Sequence, residues 1–240
     1  FHFWRNSRIS LVWRSLKRWI CLSALILSGA FFNRQDIAAR RSLFMPVNRS
    51  VPDVAEKRKN WNGLISGFRA SDLVFLDESG CNTDMTRRYA YSLGGSRAVD
   101  SAPLSKPKNT TILSSIQLDG TLRYTTFSGG TTVERFKRYL ETDLLPHLNG
   151  YSVLVMDNMK SHHAKAVKDL LDNSGVRYIY LPPYSPDLNP IEKLWSKVKS
   201  FLRKFKARTL DALPNAIQNA FHSVTVSDCS GWFRFCGYAL

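Results

Sequence analysis

The sequence predicts an α/β fold, a mixed sheet with flanking helices. Three observations carry that expectation. Two short apolar runs end in acids, DLVFLDES at 72–79 and YSVLVMD at 151–157, and read as buried strands. NTTILSSIQL and TLRYTTF flank Asp119-Gly120, a strong hairpin signal. From residue 191 onward, apolar side chains recur at Ile191, Leu194, Val198, Phe201 and Phe205, in helical steps of three and four. In chain order this gives strand, hairpin, helix, strand, helix, strand, helix. Such an order places antiparallel strands at one edge of a sheet and parallel strands beyond.

Taken in order, the first 70 residues stand apart by charge. The 240-residue chain has a net charge of +15, and residues 1–70 hold 13 Lys or Arg against 3 acids. An excess of this size points to a polyanion, nucleic acid before membrane. The run ICLSALILSGAFF at 20–32 is 13 residues long, short of the roughly 20 that span a bilayer, so no membrane partner is expected. Arg14, Lys17 and Arg18 precede it and Ser28-Gly29-Ala30 lie inside it, as in a signal peptide, but a buried or non-native segment is the preferred reading. The chain opens on Phe1 rather than Met, which reads as a truncated or aberrant start. Residues 42–70 read as a linker and one helix, over 53–68. The four cysteines, at 21, 81, 229 and 236, form no C-x-x-C pair, which argues against structural zinc and disulfides and fits a reducing interior.

The remaining elements follow from local chemistry. Thr131 with Glu134 predicts a capping box for a helix burying Val133, Phe136, Leu140 and Leu144, ended by Gly150. A helix over about 162–173 stops at Gly175, and VRYIYL is the third apolar strand. The PPYSP turn leads to Asn189, Pro190 and Glu192, which read as N-cap, first helical residue and third, so Glu192 has a bland reading as a capping-box acid.

Three acids stand out by position: Asp77 ends the first strand, Asp157 ends VLVMD, and Glu192 heads the last long helix. A single strand-terminal Asp is often only a turn residue. Three acids converging on one sheet end is the donor set of a hard divalent ion such as Mg²⁺, and two such ions suit phosphodiester displacement. His162 and His163 have the alternative of an exposed helix start, and neighbours on a helix diverge too far to share zinc. Lys193, Lys197, Lys199, Arg203, Lys204, Lys206 and Arg208 read as a phosphate-binding surface or a solvated charged face. Trp195 reads as core.

FLDES, MDN with a following His, and LPPYSPDLNPIEKLW together resemble the catalytic domain of mariner-superfamily transposases, in their bacterial insertion-sequence branch. The resemblance covers 71–240 and, weakly, 42–70. It implies a ribonuclease-H-like fold and an Asp-Asp-Glu triad, matched by Asp77, Asp157 and Glu192 with 34 residues between the last two. It further implies two Mg²⁺ or Mn²⁺ ions, DNA cleavage at transposon ends, strand transfer into a TA target and a homodimer on double-stranded DNA. A cytoplasmic, nucleoid-associated location is expected with it. Asn158 and His162 match a family pattern, to orient the site or touch DNA. At 1–41 the chain departs from the family, whose helix-turn-helix region is here reduced to SRISLVWRSLKRW, with Ser10, Arg14, Lys17 and Arg18 as DNA contacts; a displaced reading frame rejoining near Arg41 explains the departure. The competing functions are a catalytically silent relic that binds DNA through its basic charge, and a hydrolase of RNA–DNA hybrids.

Overall fold

A computed structural model describes residues 51–87, 94, 97–101 and 108–238. Arg14, Lys17, Arg18 and the apolar run at 20–32 lie outside the described residues. The first described helix is α1 (Pro52–Ile65), started by a proline at its first position. Five strands follow: β1 (Leu73–Cys81), β2 (Thr110–Ile116), β3 (Leu122–Ser128), β4 (Val153–Met156) and β5 (Arg177–Tyr180). They form one sheet in the order β3-β2-β1-β4-β5. The β1–β2 and β2–β3 pairs are antiparallel, while β1–β4 and β4–β5 are parallel. The mixed sheet expected from the element order is therefore present. Gly120 makes the β2–β3 turn possible: it sits at φ 90°, where a side chain is strained, and donates to the Gln117 carbonyl.

Strand alternation builds two cores. Leu73 and Phe75 of β1, with Val153 and Val155 of β4, face one layer. Val74 and Leu76, with Leu154 and Met156, face the other. This explains the unbroken apolar runs, since both faces are covered. The second layer holds α2 (Val133–Tyr139) and α3 (Lys165–Ser174), which contribute Phe136, Tyr139, Val167 and Leu171. The first holds α4 (Ile191–Phe205), α5 (Ala212–His222), α6 (Val226–Phe235) and Trp61 of α1. The sequence reading does not assign α5 and α6. Pro214, two Asn and a Gly give them weak helix propensity, and packing of Leu213, Ile217, Phe221 and Phe233 against the sheet overrides it.

Both expected capping boxes need correction. Thr132, not Thr131, caps α2, accepting from the Arg135 N–H at 3.3 Å. Among the described residues, no side chain caps α4. The Glu192 N–H goes to the main-chain carbonyl of Asn189 at 3.2 Å, and the buried Asn189 Oδ1 has no partner among the described residues. A reciprocal box occurs instead at α6, between Thr225 and Asp228. The α4 stripe also shifts: Trp195 and Leu202 are buried, whereas Phe205 in the last turn is exposed. The helix expected over 162–173 begins only at Lys165 and ends on Gly175 at φ 72°.

Candidate active site

Adjacent parallel strands bring the first two acids together. Leu76 of β1 pairs with Met156, the last residue of β4, and the residues that follow them in the chain are Asp77 and Asp157. The expectation that Asp77 ends its strand is corrected here. β1 runs on to Cys81 as the partner of β2, and what stops at Asp77 is the pairing with β4. Glu192 arrives from the first turn of α4, at the end of the connector that leaves β5. All three acids line one cleft of about 470 Å³. This is the carboxyl end of the parallel strands, where open α/β sheets form their sites.

Parity along β1 decides what each acid meets. Asp77 shares a face with Phe75, on the α4 side, and its carboxylate accepts from Trp195 Nε1–H at 3.1 Å and from the Glu78 N–H at 2.8 Å. Burial, reinforced by the charges of Glu192 and Asp157, pushes the Asp77 pKa up to about 7. Glu78 shares the opposite face with Leu76 and meets His162. The His162 ring is fully buried, stacked on Phe136 with centroids 4.2 Å apart. Its Nδ1 lies 2.8 Å from Asp157 Oδ1 and its Nε2 lies 3.1 Å from Glu78 Oε1. Burial works against the imidazolium, but the two carboxylates prevail and push its pKa up to about 9. A doubly protonated ring donates to both acids. Burial likewise opposes the Asp157 charge, yet His162 and the Met159 N–H hold its pKa below the usual carboxylate value. Glu192 is exposed at one side of the cleft, yet partial removal of its carboxylate from water raises its pKa, with Lys199 opposing and Asp157 adding.

The residues expected to contact DNA lie in different surroundings. A fully buried His162 cannot touch DNA; it positions Asp157 instead. Exposed His163 stacks on Tyr180. Asn158 lines the cleft, but its amide donates to the Leu181 carbonyl and ties β4 to the connector. Lys193 sits 3.8 Å over the Phe235 ring, and Lys197 pairs with Asp228 at 2.5 Å. Lys206 pairs with Asp100, while Arg208 donates to the carbonyls of Thr83, Met85 and Ser101. Lys199 and Arg203 are half-buried on α4. The sequence reading missed Glu78, and it missed Trp195 as a partner of Asp77. The signal for both was present in the alternation of β1, which sends consecutive acids to opposite layers. Trp195→Phe, which keeps the ring but not the donor that Asp77 accepts from, is expected to cost about 1 kcal/mol of stability, checked by melting.

The donor chemistry fits a hard divalent cation. Among the described residues, no three His, Cys, Asp or Glu side chains stand close enough to hold an ion unaided. Mg²⁺ needs no such cage, because it binds through one or two carboxylates and completes its shell with water and substrate phosphate. An open cleft lined by three acids, two of them partly buried, meets that requirement.

Residues 72–214, more than half of the chain, match the family of DDE superfamily endonucleases. The chain belongs to this family. This DDE chain is 33% identical over 75 residues to the Tc1 transposable-element transposase of Caenorhabditis elegans, a match covering 31% of this chain and 28% of that protein. Its fold is similar to that of Mos1 transposase in a paired-end complex with the left transposon end, with a TM-score of 0.70 and 17% identity over 84% of this chain and 64% of that one. A Mos1 paired-end complex with Mn gives 0.66 and 18%, over 84% and 64% of the two chains. At such identities the likeness is one of fold, and it assigns the mixed sheet to the ribonuclease-H-like class. The chain spans just over a quarter of the Tc1 relative and about two thirds of the Mos1 chain.

Proposed function

We propose that this DDE domain is the catalytic part of a transposase that cleaves double-stranded DNA at transposon ends and joins the freed strand to target DNA. The observation that carries the reading is the convergence of Asp77, Asp157 and Glu192, from three separate elements, on one cleft. Asp77, Asp157 and Glu192 are the residues to hold Mg²⁺ or Mn²⁺. When bound, two such ions activate the attacking oxygen and stabilise the leaving one. The chain itself supplies orientation: Trp195 fixes Asp77, and the Glu78–His162 pair fixes Asp157. The net charge of +15 favours a DNA partner, and action on paired ends, as in the complexes of the Mos1 relative, calls for a homodimer.

Nicking of supercoiled plasmid tests the proposal. The purified chain is expected to nick in Mg²⁺ or Mn²⁺, to stop on chelation, and to lose activity by orders of magnitude as Asp157→Asn. DNA binding without nicking in either metal is the result expected of a silent relic.

A further inference from the structure

One residue of the cleft is held in a conformation its side chain disfavours. Tyr184 has φ 54°, in the left-handed region, which is an outlier for a bulky residue. Such strain persists only where the surroundings over-determine it, and it gathers at functional sites. The surroundings here do so. Pro182 and Pro183 precede it and Pro186 follows. Buried Ser185 donates to the Pro183 carbonyl at 3.0 Å. The Arg58 guanidinium reaches across from α1 to Ser185 Oγ and takes both oxygens of Asp187, at 3.1 and 2.8 Å. Tyr238 donates to the Leu188 carbonyl, and Asn158 holds the Leu181 carbonyl. The connector is thus clamped from α1, from β4 and from the end of the chain.

What this clamp presents is an aromatic ring that is half exposed at a lining position of the acid cleft. Among the described residues it makes no hydrogen bond or ring contact. The wall beside it is apolar, formed by Leu181, Pro182, Pro183 and Met159. The cleft of about 470 Å³ has room for a nucleotide-sized group, and the acids and the apolar wall line the same cleft.

We infer that Tyr184 is a positioning residue on which an unstacked DNA base, next to the phosphate at the acids, is stacked. This rests on the nuclease reading for the place of the phosphate. Exposed aromatic rings serve single-stranded nucleic acid as stacking platforms, because every base offers a π-face. Enzymes acting within DNA take nucleotides out of the helical stack when their site is recessed. The clamped connector fixes the backbone of Tyr184 and the direction in which its side chain leaves it before DNA arrives, so less backbone ordering is needed on binding.

The test uses the full chain with Ca²⁺ in place of Mg²⁺, and a duplex oligonucleotide with a short single-stranded tail carrying 5-iododeoxyuridine. Light-induced crosslinking is expected to map to residue 184 in the parent and in Tyr184→Trp. Tyr184→Gly is expected to bind the tailed duplex about tenfold more weakly while binding a blunt duplex as the parent does. Its melting temperature should not fall, because glycine adopts φ 54° freely. A Gly variant that binds tailed DNA as tightly as the parent, or a crosslink mapping away from residue 184, overturns the inference and leaves the nuclease reading intact. A parent that crosslinks at Tyr184 yet never nicks plasmid supports the stacking role and removes the transposase reading.

Discussion

Asp77→Asn is expected to abolish metal-dependent cleavage and, in metal-free protein at pH 8, to melt at a higher temperature than the parent. The Asp77 carboxyl is buried beside two other acids, and its pKa rises from 3.8 to about 7 on folding. A folded pKa above the unfolded one means that ionisation opposes folding. The cost is absent below pH 3.8, grows between 3.8 and about 7, and is complete above that. At about 1.36 kcal/mol per pKa unit the ceiling is about 4 kcal/mol. An amide oxygen cannot replace both acceptors offered to Trp195 and Glu78, so a gain of about 1–3 kcal/mol is expected. The gain should vanish near pH 4. Added Mg²⁺ should then stabilise the parent and not the variant, because only a ligand that binds the native state shifts its stability. Melts at the two pH values, with and without Mg²⁺, check each part.

His162→Leu is expected to be the most damaging single change near the site. It leaves Glu78, with a side chain 5% exposed and one oxygen already without a partner among the described residues, as a buried charge without its counter-ion. Breaking a buried pair from one side costs about 3–5 kcal/mol. Removing both sides, as Glu78→Leu with His162→Leu, should cost less than the His change alone, since no orphaned charge remains. Both variants free Asp157 and should cleave DNA poorly. Denaturant unfolding of the two single variants and the double variant measures the coupling; equal destabilisation by the His change and the double change removes Glu78 as its ionic partner.

What was legible in the sequence divides along physical lines. Apolar runs such as VFL and VLV give strands because both sheet faces are buried, and the acids at their ends stand out against that background. The spacing of elements was enough for the mixed sheet. Details that depend on three-dimensional neighbours were not legible. Asn189 and Glu192 have the residue types of a capping box, but the Asn189 carbonyl takes the Glu192 N–H and the box does not form. His162 looks like a surface helix start until Phe136 and two acids enclose it. Lysines on α4 read as free charges because their partners, Asp228 and the Phe235 ring, come from a helix that propensity does not assign. Nor does the letter Tyr at 184 reveal a left-handed backbone, since tyrosine is a poor residue for it.

The central claim is that three acids from separate elements work as one metal-dependent site, and Glu192 is its most exposed test. No side-chain cap depends on Glu192, so Glu192→Gln should change stability by less than about 1 kcal/mol. The direct measurement is the rate of Mn²⁺-dependent plasmid nicking by Glu192→Gln against the parent, on protein of equal melting temperature. A loss of orders of magnitude is expected, because a neutral amide leaves the charge of the ion uncompensated. Nicking at the parent rate would contradict it and detach Glu192 from the chemistry.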